Sequence, residues 1–266
     1  MSRLGSVTQA LAVVGRSSRA GASFPLMLAA GSWGVLREAV RPMSWRRTVR
    51  HEFMLTMRQA TGGAVATIIV AASLAGAATV YEALYWLGVA GQAQLTGSIL
   101  VSVLVRELTP LLVGFILLGR SGMLTVTELG TLQTGGQVRV MFAQGIDPFL
   151  LLVMPRTLAF ALSSFTLGII FAATALVFGF IVSGAIANVQ ESLWTLLDRV
   201  ASALTVRDYL IVPAKLLVVG FLLGVSSCLT GLSAKDDDDF AELIPRGFVH
   251  GILVIMVTSI VFTLTA

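Results

Sequence analysis

The chain has little of what soluble chemistry usually uses. A single cysteine, Cys228, in 266 residues excludes an internal disulfide framework. The two histidines, His51 and His250, stand far apart with no carboxylate or cysteine cluster around them, so no metal-ligand spacing is present. Charged residues are only 12% of the chain, against about 25% in a soluble globular protein. There is no P-loop, no paired-cysteine motif and no G-x-S-x-G elbow. These absences argue against an enzyme, and no catalytic residue is assigned. Work against a gradient would need energy from another chain.

What is there is hydrocarbon. The chain is 56% hydrophobic with a mean hydropathy of +0.90. Apolar runs long enough to cross a bilayer alternate with polar stretches, which predicts an all-α polytopic membrane protein. The runs are continuous rather than alternating, so helices rather than barrel strands satisfy the backbone in lipid. Five spans are expected, at about 63–86, 97–119, 157–183, 209–230 and 247–265. The first is rich in small residues (Ala71, Ala72, Ala75, Gly76, Ala77, Ala78), which let a neighbouring helix approach closely. Tyr81, Tyr85 and Trp86 close it as an aromatic belt.

Two regions follow, an N-terminal amphipathic part (1–60) and a five-span part (61–266). Residues 22–36 are short for a span and carry Pro25 and Gly31. No small-residue cleavage site precedes the basic cluster, so an interfacial or re-entrant helix fits better than a signal peptide. Segment 41–58 then reads as a basic surface elbow. Nine of the 18 basic residues lie in the first 58 positions. The positive-inside rule puts that flank in the cytoplasm and the C-terminus outside. An arginine-rich flank beside a first span is ordinary topology, so nucleic acid is not implied. Residues 188–208 read as polar and amphipathic. Asp236–Asp239, in the hydrophilic loop 231–246, read as solvated, because four consecutive carboxylates do not converge on one ion.

The richest stretch is 106–148. Arg106–Glu107 lies about ten residues into the second span. Charges at that depth face a cavity or the bundle interior, so the pair is a candidate polar feature beside a substrate cavity, with Arg106 able to attract an anionic head group, or an inter-helix ion pair. Adjacent helical residues do not face each other, so each should find its own partner. Pro110 follows within a turn and can kink the helix. Segment 125–147 carries Glu128, Gly130, Gln137 and Asp147. Its helix-friendly middle, QVRVMFAQ, predicts an ordered docking helix in the cytoplasm, the alternative being a solvated loop. Asp147–Pro148 reads as a cap into the third span.

RELTP, GRSG, TELGTL, GIDP and then Pro155–Arg156, with Arg246–His250 (RGFVH) and GRSSRAG near the start, resemble in order and spacing the MlaE/YrbE family of lipid-transporter permeases. The resemblance covers essentially the whole chain. It implies a homodimer of five-span permeases in a bacterial inner membrane, moving phospholipid and maintaining outer-membrane lipid asymmetry. It implies a cytoplasmic ABC ATPase that binds ATP and Mg, a periplasmic MCE-domain protein and a STAS-domain partner. The permease itself would hold no cofactor. Arg106, Glu107 and Pro110 would border the lipid cavity, and Glu128, Gly130, Gln137 and Asp147 would serve ATPase coupling. Two positions depart from the pattern: Gly136 stands where glutamate is usual, and Gln133 where arginine is common. The loop 233–245 also differs, replacing a Gly/Ala-rich segment. Alternatives from other classes are a membrane scaffold for an MCE assembly, a passive channel or secondary transporter, and a permease for another hydrophobic molecule such as a sterol.

Overall fold

Long apolar runs in lipid leave helix as the way to pair the backbone, and the computed structural model is a bundle of long helices. It describes residues 24–92, 95–187, 193–234 and 240–265. Among these, α1 covers 24–39, and a 3₁₀ turn at Pro42–Ser44 leads into α2, Arg47–Val89. Helix α3 is continuous over Gly97–Thr134. A short α4, Gln137–Ala143, follows. Helix α5 begins with a π-helical turn, Phe149–Val153, and continues over Met154–Ala187. Then come α6, Leu193–Ala203, α7, Asp208–Leu232, and α8, Phe240–Thr265. Five of these, α2, α3, α5, α7 and α8, are long and apolar enough to cross a membrane, so the chain is a multi-pass membrane protein.

Each expected span falls within one of these five helices, several of which overrun it. Helix α2 begins at Arg47, so most of the expected basic elbow is helix, and it runs unbroken across residue 60. At 1.5 Å per residue its 43 residues reach about 65 Å, twice the hydrocarbon thickness. The second span was expected to stop at Gly119, yet α3 continues to Thr134. Gly122 is buried, and Val126 and Leu129 beyond it are fully buried. Packing overrides the weak helix propensity of two glycines. The break comes at Gly136, whose φ of +70° is a conformation that glycine adopts without a Cβ penalty. Asp236–Asp239 and the segment 15–21 lie outside the described residues.

Small residues set the core. The buried face of α2 is Ala60, Ala64, Ile68, Ala72, Gly76 and Val80, spaced every four residues. This ridge packs on α5, the most extensive helix pairing in the molecule. A Cβ at Gly76 would overlap the Ala175 carbonyl, and one at Gly179 would overlap Val80. In lipid, where apolar burial gives little drive, such close backbone contact is the main adhesive. The same device recurs where Gly220 and Gly224 of α7 meet Phe160 and Thr157 of α5. Helix α1 lies across the end of the bundle that also holds α4. Gly31 meets Val225 and Leu229, and Gly34 meets Phe149, while Leu26, Trp33 and Val40 remain exposed on the outer side.

Candidate functional site

At the end of the bundle that holds α6, α3 turns π-helical over Val101–Leu108, just after its first α-helical turn. Such wide turns recur at functional sites, and this one carries Arg106 and Glu107. The two go to different helices, as adjacent helical residues must. Arg106 Nη2 donates to Asp208 Oδ2 at 2.7 Å, at the start of α7. Thr205 supports that carboxylate through its backbone N–H and its hydroxyl. Lys215 Nζ, one side of α7 further on, donates to Glu107 Oε2 at 2.9 Å. Ser259 and Thr263 of α8 donate their hydroxyls to the same carboxylate, at 3.2 and 2.8 Å.

Pro110 is buried in a helix that stays continuous. It has no N–H for the carbonyl four residues back, that of Arg106. Lys215 Nζ also donates to that oxygen, at 2.9 Å. The lysine thus offsets both the proline and the carboxylate. Arg106, Glu107 and Lys215, with Ser102, Ile211, Val212, Phe262 and Thr263, line a cavity of about 230 Å³. It holds one guanidinium, one carboxylate and one ammonium against aliphatic and aromatic walls.

The partners Asp208 and Lys215 were not singled out in the sequence. Lys215 had a signal: it is the lone charged residue in the run 209–230, and a charge inside an apolar run asks for a partner. Asp208 stands at a helix start and gives no comparable sign.

At the opposite end, Glu128 accepts from Arg156 Nη1 at 2.8 Å. This joins the far part of α3 to α5. Arg156 is buried, and Ser121, Thr125 and Gln59 border a small cavity beside it. Gly130 is buried in α3, whereas Gln137 is exposed on α4. Of the four coupling candidates, Glu128 and Gly130 therefore belong to the long helix rather than to a separate docking element. Asp147 caps α5: its Oδ1 accepts from Phe149 N at 2.9 Å. Helix α4 buries Val138 and turns Val140 and Phe142 outward, with Ile146 exposed just beyond. On α8, His250 stacks on Phe24 of α1 at 3.8 Å and meets Thr230 Oγ1 at 3.3 Å. It is a packing contact between α1 and the bundle. No group of three or more potential metal ligands occurs among the described residues.

Comparison with known proteins bears on the whole bundle. The family model described as permease MlaE matches residues 53–265. A probable ABC transporter permease protein of Rickettsia typhi is 26% identical over 167 residues, 62% of this chain and 64% of that protein. The probable ABC transporter permease protein ycf63 of Pyropia yezoensis is 26% identical over 139 residues, 52% of each chain. The chloroplastic protein trigalactosyldiacylglycerol 1 of Arabidopsis thaliana is 27% identical over 137 residues, 52% of this chain and 39% of that protein. The chain thus spans about half the length of the relatives it matches.

Proposed function

The chain belongs to the MlaE permease family, and from that premise we propose that it is the membrane-spanning subunit of an ABC transporter for phospholipid. The observation that carries the reading is the charged cavity of Arg106, Glu107 and Lys215 at one end of a mainly apolar bundle. A phospholipid needs a path with two characters. Its acyl chains need apolar helix faces, and its phosphate needs a cation with room beside it. Arg106 meets the second need, because 36% of its side chain stays exposed while it pairs with Asp208. A relative named for a galactosylated glycerolipid supports a glycerolipid substrate.

The energy source is a separate ATPase, which holds ATP and its Mg²⁺. The exposed Val140 and Phe142 of α4, with Gln137 and the Asp147 cap, are its docking surface. The α4 end then faces the cytoplasm of a bacterial inner membrane, with its excess of arginine. The α6 end faces the periplasm and an MCE-domain partner, and two copies of the chain build the pathway. A STAS-domain protein is a further partner, on the ATPase. The transporter moves lipid between the inner membrane and the MCE protein and so maintains outer-membrane lipid asymmetry.

The test is reconstitution with the partner ATPase and fluorescent phospholipid. Arg106→Ala with Glu107→Ala should abolish ATP-dependent transfer while the ATPase remains bound. Transfer at the wild-type rate in that double variant would sink the cavity assignment.

A further inference from the structure

A second cleft lies between the last turns of α2 and the first turns of α3. Thr79, Glu82 and Trp86 border it on α2, Ile99 and Val103 on α3, and it encloses about 300 Å³. That is the lower end of the range in which small ligands bind, about 300–1,000 Å³. Its lining has one charge. Glu82 is exposed, and among the described residues it forms no hydrogen bond or ion pair. Thr79, by contrast, is already satisfied, donating to Ala75 O at 2.8 Å. Glu82 and Trp86 are four residues apart on one helix, hence neighbours on its surface. The Trp86 ring is set by an edge contact with Tyr85 at 5.5 Å, and Tyr85 stacks on Tyr81 at 6.0 Å. The aromatic group marks the depth at which lipid head groups meet hydrocarbon.

We propose that this cleft holds the cationic amine of a membrane lipid head group, ethanolamine or choline in type, between the Glu82 carboxylate and the Trp86 ring. The proposal rests on the lipid-transport reading and gives it a specificity. An unpaired carboxylate beside an indole face is the chemistry that attracts an ammonium, through charge and through the ring quadrupole. Apart from Thr79, whose hydroxyl is already bonded, the rest of the lining is apolar, which suits a lipid-borne amine better than a free, fully hydrated one. The cleft and the charged cavity share one stretch of α3. Val103 faces the cleft, and Arg106, one turn on, faces the cavity. The cleft thus offers the amine of a zwitterionic head group a carboxylate, and an anionic lipid without an amine finds no counter-charge there.

The experiment is native mass spectrometry of the full chain, purified and offered phosphatidylcholine, phosphatidylethanolamine or phosphatidylglycerol in mixed micelles. The wild type should retain the two amine lipids about tenfold over phosphatidylglycerol, the order expected for one charge-assisted ammonium contact. Glu82→Gln should bring the ratio close to one, and Glu82→Lys should invert it. Trp86→Ala should reduce it with the carboxylate intact. A flat wild-type ratio, or a preference that survives Glu82→Gln, overturns the proposal. Displacement by free choline as readily as by the lipid would overturn the lipid-borne source. ATP-driven transfer is read separately. If the ratio holds and transfer fails, the transport reading falls and the cleft stands; if transfer holds and the ratio is flat, only the cleft falls.

Discussion

Glu107→Gln and Lys215→Met remove the two halves of one ion pair, and the structure predicts that they do so at unequal cost. The lysine side chain is 3% exposed and the glutamate 35%. Replacing Glu107 leaves a buried ammonium with neutral acceptors only, the amide and the Arg106 carbonyl. Breaking a buried pair in this way costs about 3–5 kcal/mol, and the remaining acceptors place this case near about 3. Replacing Lys215 by methionine leaves instead a carboxylate that is one-third exposed and still holds Ser259 and Thr263. The lost charged hydrogen bonds, about 1.5–3 kcal/mol, are partly offset because no ammonium is desolvated. A net cost of about 1 kcal/mol follows. The double variant should lie near the Lys215→Met value, since replacing a whole buried pair is often close to neutral. The coupling energy is then about 3 kcal/mol, well above the roughly 0.6 kcal/mol typical of polar contacts between membrane helices. The assay is equilibrium unfolding by denaturing detergent in mixed micelles, followed by circular dichroism. Single-variant costs that simply add within about 0.5 kcal/mol, or a Lys215→Met protein less stable than Glu107→Gln, would refute the reasoning.

Further outcomes are expected elsewhere in the bundle. Gly76→Val should prevent α2 from seating on α5, because a Cβ there meets the Ala175 backbone; it should cost 3 kcal/mol or roughly more and appear as loss of monodisperse protein on size exclusion. Gly62→Ala, with open space around its Cβ, should stay within about 0.5 kcal/mol by the same unfolding assay. Phe142→Ser with Val140→Ser should abolish co-purification of the ATPase without moving the unfolding midpoint, since both side chains are exposed. Gly136→Ala, at φ +70°, should cost about 1 kcal/mol and raise the rate of proteolysis between α3 and α4.

The spans were legible because each is an apolar run longer than a bilayer needs, and hydropathy alone reports that. Their ends were not, because in this bundle polar residues extend helices. Residues 120–134 read as a separate cytoplasmic piece, yet Val126 and Leu129 are fully buried and carry α3 through Gly119 and Gly122. The pairing of Arg106 and Glu107 with two different helices followed from helical geometry, but the identity of the partners required the fold. The π-helical turns at Val101–Leu108 and Leu118–Gly122 left no trace in the sequence, since a hydrogen-bond register one residue wider hardly changes apolar periodicity over two turns. Gly136 read as a missing glutamate. The structure gives it a positive role: a left-handed residue that ends α3 and starts α4.

The asymmetry at Glu107 and Lys215 recurs at every ion pair of α3. Arg106, Glu107 and Glu128 are 36%, 35% and 39% exposed, and their partners Asp208, Lys215 and Arg156 are 3%, 3% and 11% exposed. The charges on α3 can reach water or a lipid head group at little cost. The charges they leave behind cannot. A rigid shift of α3 would strand three buried ions at once, at about 3 kcal/mol each, which far exceeds the coupling of about 1–3 kcal/mol that an effector usually supplies. A movement of α3 against its neighbours would therefore cost less if the pairs opened one at a time, each stranded ion taking a new partner before the next is released. The π-helical turn at Leu118–Gly122 lies between the Arg106–Glu107 pair and Glu128. On the lipid-transport reading, a phosphate entering the cavity beside Lys215 would supply such a partner at one end, while Glu128 at the other end stays with Arg156. Cross-linking α3 to α7 near Asp208 should then block transfer without releasing the α4 end. A cross-link there that leaves lipid transfer intact would show that α3 does not move against α7 in the cycle.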